Sequence, residues 1–287
     1  MKSPINYSGN SPTSIMRTIN SWKIAILCTA VLSALPPAHA DLVFASPPRE
    51  TGAQGSVAYE PIADFLAKLT GQKVVYTHSD NWLSYQSGMR KGAYDIVFDG
   101  PQFIAWRMAR LQHVPLVKLP GQLSFVVIVK KGDQRIKTMG DLAGRTLCGF
   151  APPNLATLTA QYEFPNPSRQ PLIIETKSFK DAYNGVIAGK CNAAVIQAKL
   201  FADFDAQARA AHVIFTSKPL PNQAFSAGPR VTAEMRAKIV QSLMSPEGRQ
   251  ATQALLERFK ATEWIATTPE EYQGLEVLLR DVWGFGS

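Results

Sequence analysis

Scarcity sets the first limits on what this chain does. Four histidines and three cysteines occur in 287 residues. Beyond residue 40 only His78, His113 and His212 remain, and the chain contains neither an HExxH nor a GxSxG pattern. An enzyme would need an acid–base or nucleophile constellation of that kind, so an exported enzyme is the weakest reading. Cysteines without neighbouring histidines make a poor zinc site, and no metal or cofactor is expected. Lys and Arg form no block, which leaves no stripe for nucleic acid. Repeats of fixed period and low-complexity tracts are missing as well. So is an apolar run of bilayer length, since residues 24–35 are too short to span comfortably.

What is present is globular. Hydrophobic residues make up 46% and charged residues 18%, and the length suits one large or two ordinary domains. The net charge is +8; Lys2, Arg17 and Lys23 supply three of these before residue 40, leaving +5 spread along the remainder. Those first 40 residues read as a secretion signal. Arg17 and Lys23 precede the apolar run 24–35, and Ala38-His39-Ala40 supplies the small-x-small cleavage pattern. Met16 is an alternative start. Cys28 follows Leu27, where a lipoprotein signal wants a small residue, so a cleaved, soluble periplasmic product is expected, an uncleaved anchor being the alternative. Export leaves Cys148 and Cys191, an even number in an oxidising compartment. Both lie on expected strands of one α/β unit; two buried thiols would look the same in sequence, and a disulfide formed after export is the expectation.

From residue 41 strand and helix alternate. Residues 42–45 read as a strand and 46–56 as a Pro/Gly-rich loop. A helix carries Ile62, Phe65, Leu66 and Leu69 on one face and stops at Gly71. A strand at 73–76, a helix at 82–89, a strand at 95–98, a helix through Ile104, Met108 and Leu111, and a strand at 114–119 follow. This βαβαβ succession predicts a mostly parallel sheet with helices on both faces. After the β-branched run 124–130 the pattern restarts: a short helix at 139–144, strands at 146–150, 172–175 and 193–196, and helices at 155–162 and 180–188. The end reads as helical over 233–244, 246–259 and 269–282.

The stretch Asp95-Ile-Val-Phe-Asp99-Gly100-Pro101-Gln-Phe103 is a buried strand stopped by a turn, because Pro101 cannot donate to a ladder and Gly100 frees the backbone. In open α/β sheets ligands sit beyond the carboxyl ends of the strands. Asp99 at that end is therefore the first candidate for ligand contact; capping the next helix is the plainer alternative. Arg49-Glu50, after the first strand, is either an exposed ion pair or a second reach toward a ligand.

Several motifs in fixed order carry a resemblance: Pro61-Ile-Ala-Asp-Phe-Leu with Thr70-Gly71; Trp82 with Gly88-Met89-Arg90; Tyr94-Asp95-Ile96-Val97 with Gly100-Pro101; Ser124-Phe-Val-Val-Ile-Val-Lys-Lys; Asp141-Leu-Ala-Gly-Arg145; Val186-Ile-Ala-Gly-Lys190; and Ser217-Lys-Pro-Leu-Pro-Asn222. From Phe44 to about Tyr272 the chain resembles the phosphonate/phosphate/phosphite-type solute-binding proteins of ABC importers. The resemblance implies the α/β two-lobed periplasmic binding protein fold, each lobe a mostly parallel sheet flanked by helices, joined by two crossing strands. It implies a signal at 1–40, a first lobe at 41–127 and 223–287, and a second at 128–222. It implies a monomer that binds a small molecule, a phosphorus oxyanion or an organic zwitterion, and partners an inner-membrane permease; a membrane sensor as partner fits the same sequence.

The family's ligand contacts carry over in part. Trp82 stands where relatives place a cleft Tyr, and Asp99, next to Gly100 and Pro101, where they can place another; Trp82 and Phe103 are either cleft residues or interior packing. The family's Ser-Thr-Ser anion clamp at a helix start reads here as Pro152-Pro153-Asn154-Leu155-Ala156-Thr157, with only Asn154 and Thr157 polar. Backbone N–H groups at that start suit an anion whatever the side chains. Lys180 falls near the family's His, as a source of positive charge or a solvated side chain; Gln197 and Gln223 fall near positions acidic in relatives. A buried Asp99 facing a dianion costs several kcal/mol unless protonated or paired. Simple alkylphosphonates and phosphate are therefore expected to bind weakly. The preferred solute is expected to bring an apolar part for Trp82, a donor or cation for Asp99 and an anionic end for Asn154.

Overall fold

Short β-branched and aromatic runs separated by amphipathic stretches build two sheets in the computed structural model, which describes residues 40–285. The expected secretion signal lies, up to residue 39, outside the described residues. The first sheet starts with β1 (Leu42–Ala45), α1 (Gly52–Thr70), β2 (Val74–Thr77), α2 (Trp82–Arg90), β3 (Ile96–Asp99), α3 (Pro101–Leu111) and β4 (Val114–Lys118). β1 pairs in parallel with both β2 and β3, placing Leu42 opposite Val74 and Phe44 opposite Ile96. α1 starts inside the expected loop. Thr51 and Gln54 form a reciprocal capping box there, satisfying end N–H groups that the glycine-rich composition leaves easy to overlook. Gly55 belongs in this helix because a Cβ would stand 2.8 Å from the Tyr76 hydroxyl on β2.

The chain then crosses through β5 (Gln122–Leu123) into the second sheet. This contains β6 (Phe125–Lys130), β7 (Thr146–Gly149), α4 (Leu155–Tyr162), β8 (Leu172–Glu175), α5 (Phe179–Ile187), β9 (Ala193–Gln197), α6 (Ala198–Asp205) and β10 (Ala211–Thr216). Its strand order is β10-β6-β9-β7-β8; β7 lies parallel to β8 and β9, and β6 is antiparallel to β9 and β10. β11 (Leu220–Pro221) pairs with β5, so the outgoing and returning crossings are hydrogen-bonded to each other. β12 (Ala224–Ala227) then inserts antiparallel between β3 and β4, completing the order β13-β4-β12-β3-β1-β2 once β13 (Ile265–Ala266) has joined.

The end is less helical than its sequence suggests. α7 (Ala233–Leu243) is followed by α8 (Pro246–Ala251) and α9 (Gln253–Arg258), two helices in place of the expected one over 246–259. They part at Thr252, whose hydroxyl donates to the Gly248 carbonyl and accepts from the Trp264 indole N–H at 2.8 Å. The expected helix over 269–282 is instead two 3-10 turns, Pro269–Glu271 and Leu275–Leu279. Gly274 between them takes φ 84°, a left-handed conformation that ends a helix. No described helix is long and apolar enough to cross a membrane.

Phe44, Tyr59, Ile62, Phe98, Phe225 and Trp264 form the centre of the first sheet's core, and Val127, Val129, Leu147 and Val195 that of the second. A further cluster joins Tyr85, Phe103, Trp106, Tyr272, Leu279 and Phe285 with Leu158 of α4. Leu275 and Leu278 pack against both that cluster and the second sheet's core. Each large buried side chain contributes about 1.5–3 kcal/mol, so the final turns tie α3 and α4 together by more than contact alone. Cys148 of β7 is disulfide-bonded to Cys191, with Cα atoms 5.7 Å apart; Cys191 lies in the bend leading into β9, not on the strand expected for it. Gly185 of α5 makes room for that bridge, since a Cβ there would lie 2.7 Å from the Cys148 sulfur.

Candidate functional site

The loops at the carboxyl ends of β1 and β3, of β7, β8 and β9, and the crossing before β12 carry the candidate residues. Asp99 ends β3 with none of its side chain exposed. Its Oδ2 accepts from Arg107 Nε at 3.0 Å and from the Tyr85 hydroxyl at 2.5 Å, and Arg107 Nη2 donates to the same tyrosine oxygen at 2.9 Å. The Arg107 guanidinium also lies 5.6 Å from the rings of Tyr85 and Tyr94. Burial pushes the Tyr85 phenol well above its ordinary range, so it stays a neutral donor. Asp99 does not cap α3; Gly100 holds the cap position without a side-chain bond and Pro101 follows at the first turn. The cation expected from a ligand is supplied from within the chain.

Beyond that trio the side chains divide into those already engaged and those left with an open valence. Phe103 is buried, with its ring 5.8 Å from that of half-buried Trp82 and 5.7 Å from Phe285. Trp82 in turn lines a groove of about 390 Å³ with Pro152, Pro153, Tyr162 and Trp283, so it faces residues of both sheets' helices. Asn154 caps α4 by accepting from the Ala156 N–H at 3.0 Å, and its own N–H donates to the Ala151 carbonyl at 3.1 Å. The Thr157 hydroxyl donates to the Phe150 carbonyl at 2.5 Å, while Leu155 and Ala156 are buried in the second sheet's core. Pro152 and Pro153 have no N–H to give. At the start of α4 the Asn154 and Thr157 side chains are therefore turned inward, onto the chain's own backbone. Lys180 holds its ammonium 5.0 and 4.6 Å from the ring centres of Tyr183 and Phe204. Gln197 precedes α6 without a side-chain capping bond.

Six buried side-chain atoms have no hydrogen-bond partner among the described residues: Arg49 Nη1, Asp99 Oδ1, Gln102 Oε1, Arg107 Nη1, Thr176 Oγ1 and Gln223 Oε1. Leaving such atoms unmade costs about 1–3 kcal/mol each. Arg107 apart, they sit where strands end or cross: Arg49 after β1, Asp99 and Gln102 after β3, Thr176 after β8, Gln223 just before β12. Glu50 is not the partner of Arg49; it pairs with Arg258 at 2.7 Å and accepts from the Tyr59 hydroxyl at 3.3 Å. Arg49 instead lies over Phe98, 6.0 Å from the ring centre. Gln102 donates from Nε2 to the Pro153 carbonyl at 3.1 Å, a buried bond between the first turn of α3 and the loop after β7. Gln102 and Thr176 are absent from the sequence-based set, as is Arg107. Their one advance signal was position, at or just past the carboxyl end of a strand, and for Arg107 its place one turn beyond Phe103 on an apolar helix face.

Two α/β sheets, each flanked by helices and joined by a paired crossing, define the class of two-lobed solute-binding folds. Residues 44–272 match the family model described as ABC transporter, phosphonate, periplasmic substrate-binding protein, and the chain belongs to that family. Among solved structures it is similar to XAC2383 from Xanthomonas citri bound to ATP, with a TM-score of 0.65 and 13% identity over 84% of this chain and 98% of that one. PhnD1 from Prochlorococcus marinus in complex with methylphosphonate superposes with a TM-score of 0.59 and 12% identity, covering 84% and 98%. A binding protein component of an ABC phosphonate transporter (PA3383) from Pseudomonas aeruginosa gives 0.55 and 15%, covering 81% and 83%. At such identities these relatives show the fold. No curated protein matches the chain.

Proposed function

We propose that this chain is exported with residues 1–40 as its signal, closes the lobe built on the first sheet over the lobe built on the second around a small solute, and delivers it to an ABC permease. The lobes divide at the paired β5–β11 crossing and not at 127/128, because β6 belongs wholly to the second sheet. The observation that carries this reading is the set of buried, unpartnered polar atoms at the strand ends and the crossing, contributed by both sheets. A solute held between the lobes satisfies such atoms only in the closed form, and that difference in contacts is what drives closure. Their chemistry describes the solute. Arg49 offers a cation without an ion pair among the described residues, while Asp99 is balanced by Arg107. Asp99 Oδ1, Gln102 Oε1 and Gln223 Oε1 ask for N–H or O–H donors. A singly charged oxyanion that also carries donors, such as an organic zwitterion, fits this set better than bare phosphate. The inward-turned start of α4 supports the same reading, because its hydroxyl and cap are already engaged.

Native mass spectrometry of protein purified from its own periplasm, followed by calorimetry with phosphate, phosphite and 2-aminoethylphosphonate, tests the proposal. A donor-bearing solute is expected, with affinity falling at least about tenfold in Arg49→Met, the loss of one charge-assisted bond. Submicromolar phosphate or phosphite binding, unchanged in Arg49→Met, refutes it.

A further inference from the structure

Gln102, in the first turn of α3, is held at one end of its amide and left open at the other. Its side chain is buried, and the loop beneath it is anchored because Asp99, three residues back, is bonded to Arg107 and Tyr85. Gly100 completes the seat: a Cβ there would lie 2.7 Å from Gln102 Oε1, so a larger residue would displace the amide. One end of that amide, Nε2, donates to the Pro153 carbonyl in the loop after β7. The Pro152-Pro153 pair offers a carbonyl but no N–H, and that fixes which way the amide faces. The other end, Oε1, is buried and has no partner.

Resting on the solute-capture reading, we propose that Gln102 is the residue that reads the solute and reports it across the cleft, a latch between the lobes that is completed only by a ligand bearing an N–H or O–H donor. A donor bonded to Oε1 polarises the amide and strengthens the Nε2 bond to Pro153, since hydrogen bonds in series reinforce one another. An oxyanion with no proton sets oxygen against oxygen at the same point. The latch therefore favours ammonium- or hydroxyl-bearing solutes over simple oxyanions, and it couples that choice to closure.

Gln102→Leu removes both ends of the amide and Gln102→Glu keeps an acceptor while losing the donor to Pro153; Gln102→Asn, too short to span, replaces either variant should it not fold. Ligand-free radius of gyration by small-angle scattering reads the latch. Calorimetry with 2-aminoethylphosphonate and methylphosphonate, which differ in the ammonium group, reads the selection. Both variants are expected to be larger than wild type without ligand. Wild type is expected to prefer the amino compound at least about tenfold, a preference kept in Gln102→Glu and lost in Gln102→Leu. Wild-type size in both variants, or an undiminished preference in Gln102→Leu, overturns the proposal. A wild type that binds neither compound removes the selective half and counts against solute capture of this class, while the scattering result still decides the latch.

Discussion

Replacing Arg107 with methionine strands a carboxylate inside the protein. Asp99 and Arg107 both have side chains with no exposure, and the guanidinium bonds to Asp99 and to Tyr85 at 3.0 and 2.9 Å. Methionine fills much of the same volume and offers no donor. At about 3 Å and an effective dielectric near 20, the lost attraction is about 5 kcal/mol. Removing one member of a buried pair costs about 3–5 kcal/mol, in agreement. For a chain of this size about 1 kcal/mol moves the melting temperature by 2–4 °C, so Arg107→Met is expected to melt about 6–20 °C lower. Urea unfolding followed by circular dichroism at pH 7 measures the free energy. The double variant Asp99→Leu with Arg107→Met separates the pair from the packing, because removing both charges is expected to restore most of the loss. A single variant within about 1 kcal/mol of wild type, or a double variant no more stable than the single, would refute the assignment of a buried, mutually dependent pair.

Three further outcomes follow from other parts of the molecule. His113 is buried, with Nδ1 3.2 Å from the Ser226 hydroxyl, and burial, helped by the nearby Arg107 charge, lowers its pKa from 6.5 to about 3. The folded state thus refuses a proton that the unfolded chain takes up below pH 6.5. Stability is full above that pH and is lost as pH falls, by about 1.4 kcal/mol per unit. Unfolding curves at pH 6.5 and 4.5 should lose about 2 kcal/mol more in wild type than in His113→Gln; equal losses would exclude the histidine as the cause. The Cys148–Cys191 bridge spans 43 residues, so the double Ala variant is expected to lose about 2–4 kcal/mol. Thiol counting on denatured periplasmic protein should find both residues blocked; two reactive thiols would contradict the bond. Gly185→Ala drives a methyl toward the Cys148 sulfur and is expected to cost about 1–3 kcal/mol, with part of the loss recovered in a Cys148→Ala background. Full additivity of the two changes would show that the contact is not what matters.

Periodicity in the sequence carries most of the sheet-and-helix order, because each strand and helix buries one readable face. The run 155–162 and the strand 172–175 coincide with α4 and β8 as they stand. Where the reading differs, the cause is local. Thr51 and Gln54 outweigh the glycines that made 46–56 look like a loop. α6 and β10, which the sequence reading passes over, lie against the sheet's edge with no residue of α6 fully buried, so their periodic signal is faint. The final turns are set by Gly274 and by packing on α3 and α4, which no single segment encodes. Of the candidate site, the strand end at Asp99 is visible as a turn signal. The Arg107 partner is not, because the pairing depends on how α3 folds back across β3. Nor is an atom left without a partner legible in any string of residues, which is why Gln102 and Thr176 emerge only from the packed structure.

β12 belongs at the middle of the first sheet, yet it is made last among that sheet's long strands. Ala224 to Ala227 lie between β3 and β4, pairing Phe225 with Phe98 on one side and Val117 on the other. Until that segment emerges, β3 and β4 have no bridge and the ring of Phe225 is missing from the core beside Phe44 and Phe98. The second sheet, by contrast, is complete within Phe125 to Thr216. On refolding, the second sheet is therefore expected to consolidate ahead of the first, which is completed only when β12 docks. Pulse-labelled hydrogen exchange during refolding should find the β7 and β9 amides protected ahead of those of β3, and the reverse order would rule this assembly sequence out.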